Sequence, residues 1–284
     1  MDPQYVLFGL VVGVLVGMTG IGGGSLMTPL LILAGGVPPT VAVGTDLAYG
    51  AITKTVGGWR HLRIGTVDLG VTGWLAVGSV PGSLLGVAAT GLVDVATLLV
   101  VVAVALVIAA LGILARALVT APRERESVDL AGRRTRAGAV LTGFVLGGIV
   151  GMTSVGSGAL IGLVLLLVFR LTPHRVVGTD VFHAAILLWA AGIGHLVAGN
   201  VDLLLTATLL LGSIPGVWVG TALCRRVPPA ALRPALGCVL LAAALGVLGK
   251  AGVAVPPGLV VGVPAALGAA FLVLHRRRPE PQPA

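Results

Sequence analysis

Gly17-Met-Thr-Gly-Ile-Gly-Gly-Gly24 recurs, 134 residues further along the chain, as Gly151-Met-Thr-Ser-Val-Gly-Ser-Gly158. The same offset pairs Val43-Gly-Thr-Asp46 with Val177-Gly-Thr-Asp180. Residues 17–92 and 151–226 share 30 identities over 76 positions without a gap. Low-complexity apolar sequence would not keep Asp, His and Pro in one register by chance, so we interpret the chain as one folding unit used twice.

The composition is that of a membrane protein. Apolar residues make up 57% of the chain and charged residues 10%, with a mean hydropathy of +1.09. Nearly uncharged runs at 95–114, 203–223 and 232–248 are long enough to cross a bilayer as helices. We therefore predict an all-α polytopic membrane protein forming a single membrane domain over residues 1–284, with the lipid bilayer as its surroundings.

Several classes of protein are excluded at this stage. The net charge of +8 comes from arginines in short loops between apolar runs, without a basic face interleaved with aromatics, so no nucleic-acid partner is expected. Cys224 and Cys238 are isolated and lack metal-binding spacing, so we expect neither a metal nor a cofactor. The first residues lack the features of a cleaved signal peptide. The oligomeric state stays open, with a homodimer among the candidates.

The two units are predicted to span residues 5–118 and 137–250, joined by a basic loop at 119–136 and followed by an extra helix at 256–275. Each unit opens with a long apolar segment interrupted by glycines, at 5–34 and 137–169. This segment is either one long tilted helix or a re-entrant hairpin of two half-length helices. Three more helices follow in each unit, and they are expected at 39–61, 67–90 and 94–118 and at 173–195, 201–224 and 229–249.

Charge placement favours the hairpin. If each opening segment enters the membrane and returns on the same side, every loop that carries arginine lies in the cytoplasm, as the positive-inside rule requires. Each unit then makes an odd number of crossings, so the two units are predicted to be inverted relative to each other. The C-terminus is expected in the cytoplasm.

The two glycine clusters are the first candidate site. Glycine allows backbone N–H groups to turn toward a ligand, and a helix that starts there offers its positive end to an anion. The alternative is that these glycines only permit close helix packing. Hydroxyl and glycine residues of the two clusters are the predicted substrate-binding set: Thr19, Gly22, Gly23, Gly24, Ser25, Thr153, Ser154, Gly156, Ser157 and Gly158.

Two carboxylates lie inside apolar helices and are candidate coupling residues. Asp46 and its copy Asp180 would be costly to bury without a function, and protonation would remove that cost. The alternative is a structural acid near a helix start. His183 follows Asp180 by three positions and so shares its helix face, whereas the first unit has Tyr49 there.

The remaining polar residues have more ordinary interpretations. Lys54 is expected to extend to the membrane surface, Asp68 and Asp202 to cap helices, and His61 and His195 to pack at helix ends. Six residues are assigned either to the transport pathway or to helix packing and kinks: Thr45, Thr179, Ser79, Pro81, Ser213 and Pro215.

The assembled pattern resembles the TauE/SafE sulfite exporter family, also called the 4-toluene sulfonate uptake family. The resemblance rests on Gly17–Ser25, on Pro39 followed by Val43-Gly-Thr-Asp46, on their copies, and on Ser213-Ile-Pro-Gly216 with Gly220. It covers roughly residues 5–250 and implies transport of sulfite, sulfonates or related organosulfur anions across a bacterial cytoplasmic (inner) membrane.

The predicted function is a secondary transporter of a small anion, coupled to a proton gradient, and not an enzyme. An uncoupled anion channel would use the same glycine site without titratable residues. An intramembrane serine hydrolase would need Ser157 as nucleophile and His183 or His195 as base, but the copy of Ser157 is Gly23. A structural subunit would not explain two polar sites in register.

Overall fold

The structure, a computed structural model, describes residues 2–19, 23–118, 128, 130, 132–224 and 229–276. Within these ranges the chain is all-helical, with eleven helices and no β-strand. The helices are α1 Pro3–Thr19, α2 Gly24–Leu33, α3 Pro39–Arg63, α4 Leu69–Thr90, α5 Val95–Leu118, α6 Arg133–Thr153, α7 Leu160–Leu167, α8 Pro173–Val197, α9 Leu203–Cys224, α10 Pro229–Lys250 and α11 Pro257–Arg276.

Five helices, namely α4, α5, α6, α8 and α9, are long and apolar enough to cross a membrane. Helix α3 has the same length as α8, 25 residues, but it is not among these five candidate spans. The difference is polar content, since α3 contains Asp46, Lys54 and two arginines near its end. Helix α3 therefore combines a less apolar composition with two charged residue types, Asp46 and Lys54, buried in the bundle.

The observed helix bounds agree closely with the predicted ones. Pro39 and Pro173 each occupy the first turn of α3 and α8, where a missing N–H costs nothing. The extra C-terminal helix is present as α11. The clearest difference is α6, which begins at Arg133, four residues before the predicted start at 137, so part of the expected basic loop is helical.

Both opening segments are broken at the glycine clusters. Helix α1 ends at Thr19 and α2 starts at Gly24, while α6 ends at Thr153 and α7 starts at Leu160. Gln4 Nε2 donates a hydrogen bond to the carbonyl of Ala34 at 3.1 Å, and the Tyr5 hydroxyl donates to the carbonyl of Gly35 at 3.2 Å. The start of α1 therefore lies beside the end of α2, and the first segment is a helical hairpin.

The bundle is built from helix pairs that join the two units. Helix α1 packs on α9, α4 on α6, α3 on α8 and α5 on α10. The contacts are so close that a β-carbon on Gly13 would lie 2.6 Å from the carbonyl oxygen of Ser213, and one on Gly147 would lie 2.6 Å from Cα of Ser79. Glycines on these faces thus bring helix backbones into direct contact.

The starts of α4 and α9 are held in the same way. Asp68 Oδ1 accepts from the Val71 N–H at 3.0 Å, and Asp202 Oδ1 accepts from the Leu205 N–H at 2.9 Å, which confirms both predicted caps. The backbone N–H of Asp68 donates to Thr179 Oγ1 at 2.9 Å. In the reciprocal contact the N–H of Asp202 donates to Thr45 Oγ1 at 3.1 Å.

Candidate functional site

The two glycine breaks meet at the carboxylate of Asp46. Thr28 Oγ1 on α2 donates to Asp46 Oδ2 at 2.5 Å, and Ser154 Oγ from the break of the second unit donates to the same oxygen at 2.9 Å. A β-carbon on Gly24 would lie 2.5 Å from the Ser154 carbonyl oxygen and 3.6 Å from Asp46 Oδ2. The predicted residues Gly24, Ser154 and Asp46 are thus brought together from both units.

Local backbone geometry in the second break explains how Ser154 reaches Asp46. Ser154 has φ 60°, a left-handed conformation that few non-glycine residues adopt, and its N–H donates to the Val150 carbonyl at 2.7 Å. Gly156 and Gly158 follow with φ of +114° and +104°. The break therefore ends α6 and needs glycine at two further positions.

A second group of polar side chains is formed by helices from opposite units. Ser79 Oγ on α4 lies 2.9 Å from His183 Nε2 on α8, and both side chains are buried. The corresponding residues of the sequence repeat are Ser213 on α9 and Tyr49 on α3, and both are buried. His183 and Tyr49 thus occupy matching positions, one with a titratable imidazole and one with a phenol.

Buried polar atoms without a hydrogen-bond partner concentrate in these segments. Such atoms are rare in folded proteins and call for an explanation, because each carries a desolvation cost. Among the described residues they include Ser25 Oγ, Asp46 Oδ1, Lys54 Nζ, Ser157 Oγ and His183 Nδ1. The helices that carry them come from both units, so we name these five residues with Asp180, Ser79 and Ser154 the polar cluster.

Lys54 is the buried polar residue that sequence reasoning misplaced. Its side chain is only 8% exposed and its Nζ is enclosed, so the expectation that it extends to the membrane surface is wrong. The physical reason is that α8 packs along this face of α3. One signal was available: Lys54 follows Asp46 by eight residues, which places both on one helix face.

The other predicted substrate-binding residues fall in three groups. Gly22 lies outside the described residues, and for Thr19 only the backbone is described. Gly23 is close to Tyr49, since a β-carbon there would lie 3.3 Å from Tyr49 Cε1. Thr153 stays within its own helix end: its hydroxyl donates to the Ile149 carbonyl at 2.6 Å and accepts from the Val155 N–H at 3.1 Å.

The six residues assigned to the pathway or to packing differ in their burial and in their contacts. Ser79 and Ser213 are buried, whereas Pro81 and Pro215 are exposed on the outer side of the same helices. Thr45 and Thr179 are fully buried and hold the starts of α9 and α4. Among these six, only Ser79 belongs to the polar cluster, through its contact with His183.

The histidines do not form a hydrolase site within the described residues. His195 Nε2 lies 2.9 Å from the Gly151 carbonyl at the end of α6, which fits the predicted helix-end packing. His183 Nε2 is engaged by Ser79, and Ser157 Oγ has no hydrogen-bond partner there. The same part of the chain contains no group of three His, Cys, Asp or Glu side chains suited to a metal ion.

Membrane-length helices that enclose charged and hydroxyl side chains between the two halves of the chain are typical of a multi-pass membrane transporter. The chain belongs to the sulfite exporter TauE/SafE family, whose profile matches residues 5–247, as the resemblance in sequence indicated.

Curated relatives agree with this class. The chain is 37% identical over 254 residues to the probable membrane transporter protein YjnA of Bacillus subtilis (strain 168), covering 86% of this chain and 99% of the relative. It is 28% identical over 233 residues to the probable membrane transporter protein YdhB of the same organism, covering 81% and 94%. No solved structure gives a significant match.

Proposed function

We propose that the protein is a secondary transporter of a small anion, either sulfite, a sulfonate or a related organosulfur anion, across the bacterial cytoplasmic membrane. The observation that carries the proposal is the bond between Ser154 and Asp46, because it joins the glycine break of one unit to a buried carboxylate of the other. The family name supports the substrate class. Asp46 and Asp180 are proposed to couple transport to a proton gradient, with His183 assisting.

The proposed transporter has two inverted units. Contacts between α3 and α8 support this arrangement: a β-carbon on Gly58 would lie 3.1 Å from Cα of Phe182, and one on Gly192 would lie 3.4 Å from the nitrogen of Ala48. Residue numbers rise along one helix as they fall along the other, so the two helices are antiparallel. Equivalent spanning helices of parallel units would instead run in the same direction.

The function is tested by anion flux into proteoliposomes that contain the purified protein. The substrates are sulfite, sulfate, thiosulfate and sulfoacetate, with acetate as the carboxylate control, each with and without a pH gradient. We expect saturable flux of at least one sulfur oxyanion and a higher rate in one direction of the gradient. A flux rate that does not change with the pH gradient would favour the uncoupled channel. The absence of flux for all four sulfur anions would contradict the proposal.

The topology is tested with single cysteines at Arg63 and Val197. These residues are equivalent in the repeat, and both are exposed at the ends of α3 and α8. In inverted units Arg63 lies in the cytoplasm and Val197 outside, as expected from the arginines near the first of these turns. After Cys224 and Cys238 are changed to Ser, an impermeant maleimide applied to intact cells should label only Val197→Cys.

Opening the membrane provides the control, since Arg63→Cys must then become labelled as well. Labelling of both cysteines in intact cells, or protection of both, would place the two turns on one side. The units would then be parallel, and the inverted arrangement would have to be abandoned.

A further inference from the structure

Lys54 is a buried cation without a hydrogen-bond partner. Among the described residues it is the only Lys or Arg that is buried, and its Nζ has no hydrogen-bond partner. An ammonium group has three donors and no acceptor, so a buried one must be matched by negative groups or by oxygen acceptors. An ammonium group that stayed buried without an acceptor throughout the transport cycle would carry a large desolvation free energy.

Two carboxylates lie near Lys54, and at least one of them already accepts hydrogen bonds from other residues. Asp180 and Asp46 are both close enough to act electrostatically on the Lys54 amino group. Oδ2 of Asp46 already accepts from Thr28 and Ser154. Asp46 also covers the start of α2, where the glycine break was expected to offer its positive end to an anion. In the described residues, the buried positive charge left for a substrate is therefore that of Lys54.

Lys54 also lies where the two units meet. The indole Nε1 of Trp189 donates to Thr55 Oγ1 at 2.8 Å, and these two residues are equivalent in the sequence repeat. Contacts between equivalent residues form beside the axis that relates two units, and Lys54 is the neighbour of Thr55. The repeat equivalent of Lys54 is the buried Leu188, so the charge is present once.

We propose that the Lys54 ammonium binds the negatively charged group of the transported anion, at one central site between the two units. This rests on the proposed function, since it names the residue that holds its substrate. A compact ammonium suits a sulfite or sulfonate group, whose oxygens accept its hydrogen bonds. The anion would compete with Asp180 and Asp46 for the positive charge of Lys54. Binding of the substrate and protonation of the two carboxylates would therefore be coupled through Lys54.

The test compares Lys54→Met with Lys54→Arg, using the sulfur anion that the wild-type protein transports fastest. Losing a buried charged contact to the anion should lower flux at subsaturating concentration by at least about 30-fold in Lys54→Met. Lys54→Arg retains a charge and should keep a clearly higher rate. The same anion should stabilise the wild-type protein against heat in detergent and should not stabilise Lys54→Met, whereas acetate should stabilise neither.

Lys250→Met is the matched control, because Lys250 is the other lysine of the chain and its Nζ donates to the carbonyl of Ile32, away from the polar cluster. Lys54→Gln provides a second neutral variant if Lys54→Met does not insert. A double variant, Lys54→Met with Asp180→Asn, distinguishes substrate binding from simple charge balance. The readout is stabilisation by the anion in detergent, which does not need proton coupling by Asp180. If Lys54 only balances Asp180, the anion should again stabilise the double variant; if Lys54 holds the anion, it should not.

The outcomes separate this inference from the proposed function. Wild-type flux that persists in Lys54→Met, or stabilisation by the anion that returns in the double variant, would overturn the Lys54 site and leave the transporter proposal standing. A wild-type protein that neither transports nor is stabilised by any of the four sulfur anions would overturn both.

Discussion

Changing Asp46 and Asp180 to Asn is expected to remove flux driven by a pH gradient and to lower the remaining flux roughly 10- to 100-fold. Both side chains are at most 5% exposed, and Asp46 accepts hydrogen bonds from both units. Asn preserves the shape and one acceptor oxygen, but it cannot carry a negative charge or exchange a proton. The measurement is initial flux in proteoliposomes, with and without the gradient, for each single variant and the pair.

The control is the pair Asp68→Asn and Asp202→Asn. These carboxylates cap α4 and α9, and Asn caps a helix about as well as Asp, so flux should stay close to wild type. All four variants should remain monodisperse in detergent. Equal losses in both pairs would show that Asp46 and Asp180 are structural acids, as the alternative interpretation holds.

Most helix bounds could be predicted because they depend on local signals. Apolar length, Pro39 and Pro173 in first turns, and Asp68 and Asp202 as caps are all readable from a short window of sequence. Because the sequence is repeated, each helix boundary could also be compared with that of its equivalent helix. The start of α6 at Arg133 was missed because its first turn is basic and resembles the loop before it.

The candidate site was only partly predictable because its contacts link distant parts of the chain. The repeat identified both glycine breaks as candidate sites, but it could not show that Ser154 bonds Asp46 across 108 residues. That contact depends on the left-handed backbone of Ser154. Lys54 was misplaced for a related reason: whether a lysine reaches the surface depends on which helix covers it.

Close helix packing is also visible in the sequence, as glycines that recur every four residues. Gly9, Gly13 and Gly17 recur every four residues on α1, and a β-carbon on any of them would overlap the backbone of α9. The same spacing appears on α6 at Gly143, Gly147 and Gly151, which face α4. Such spacing is typical of helices in backbone contact, and it indicates that α1 and α6 need close partners.

The double variant Gly24→Ala with Gly158→Ala is expected to reduce flux at least about 10-fold, because each change disturbs one glycine break by a distinct mechanism. A β-carbon on Gly24 would meet the Ser154 carbonyl oxygen at 2.5 Å and push the second unit away from Asp46. Gly158 has φ +104°, where an alanine is strained whatever the space around it. Similar losses are expected for Gly156→Ala, at φ +114°, and for Gly22→Ala, which lies outside the described residues.

The matched control is Gly249→Ala with Gly252→Ala, which also pairs a helical glycine with one at positive φ, here +89°, but with no atom within 4 Å of either added β-carbon. Gly252→Ala introduces backbone strain at positive φ as Gly158→Ala does, but the control pair has no clash like that of Gly24→Ala. The melting temperature should therefore fall less in the control pair, and only the Gly24 and Gly158 pair should lose flux. Wild-type flux in that pair would refute the role of the glycine breaks in substrate binding. Loss of flux in both pairs would mean that backbone strain alone impairs transport, and the breaks would then be packing features.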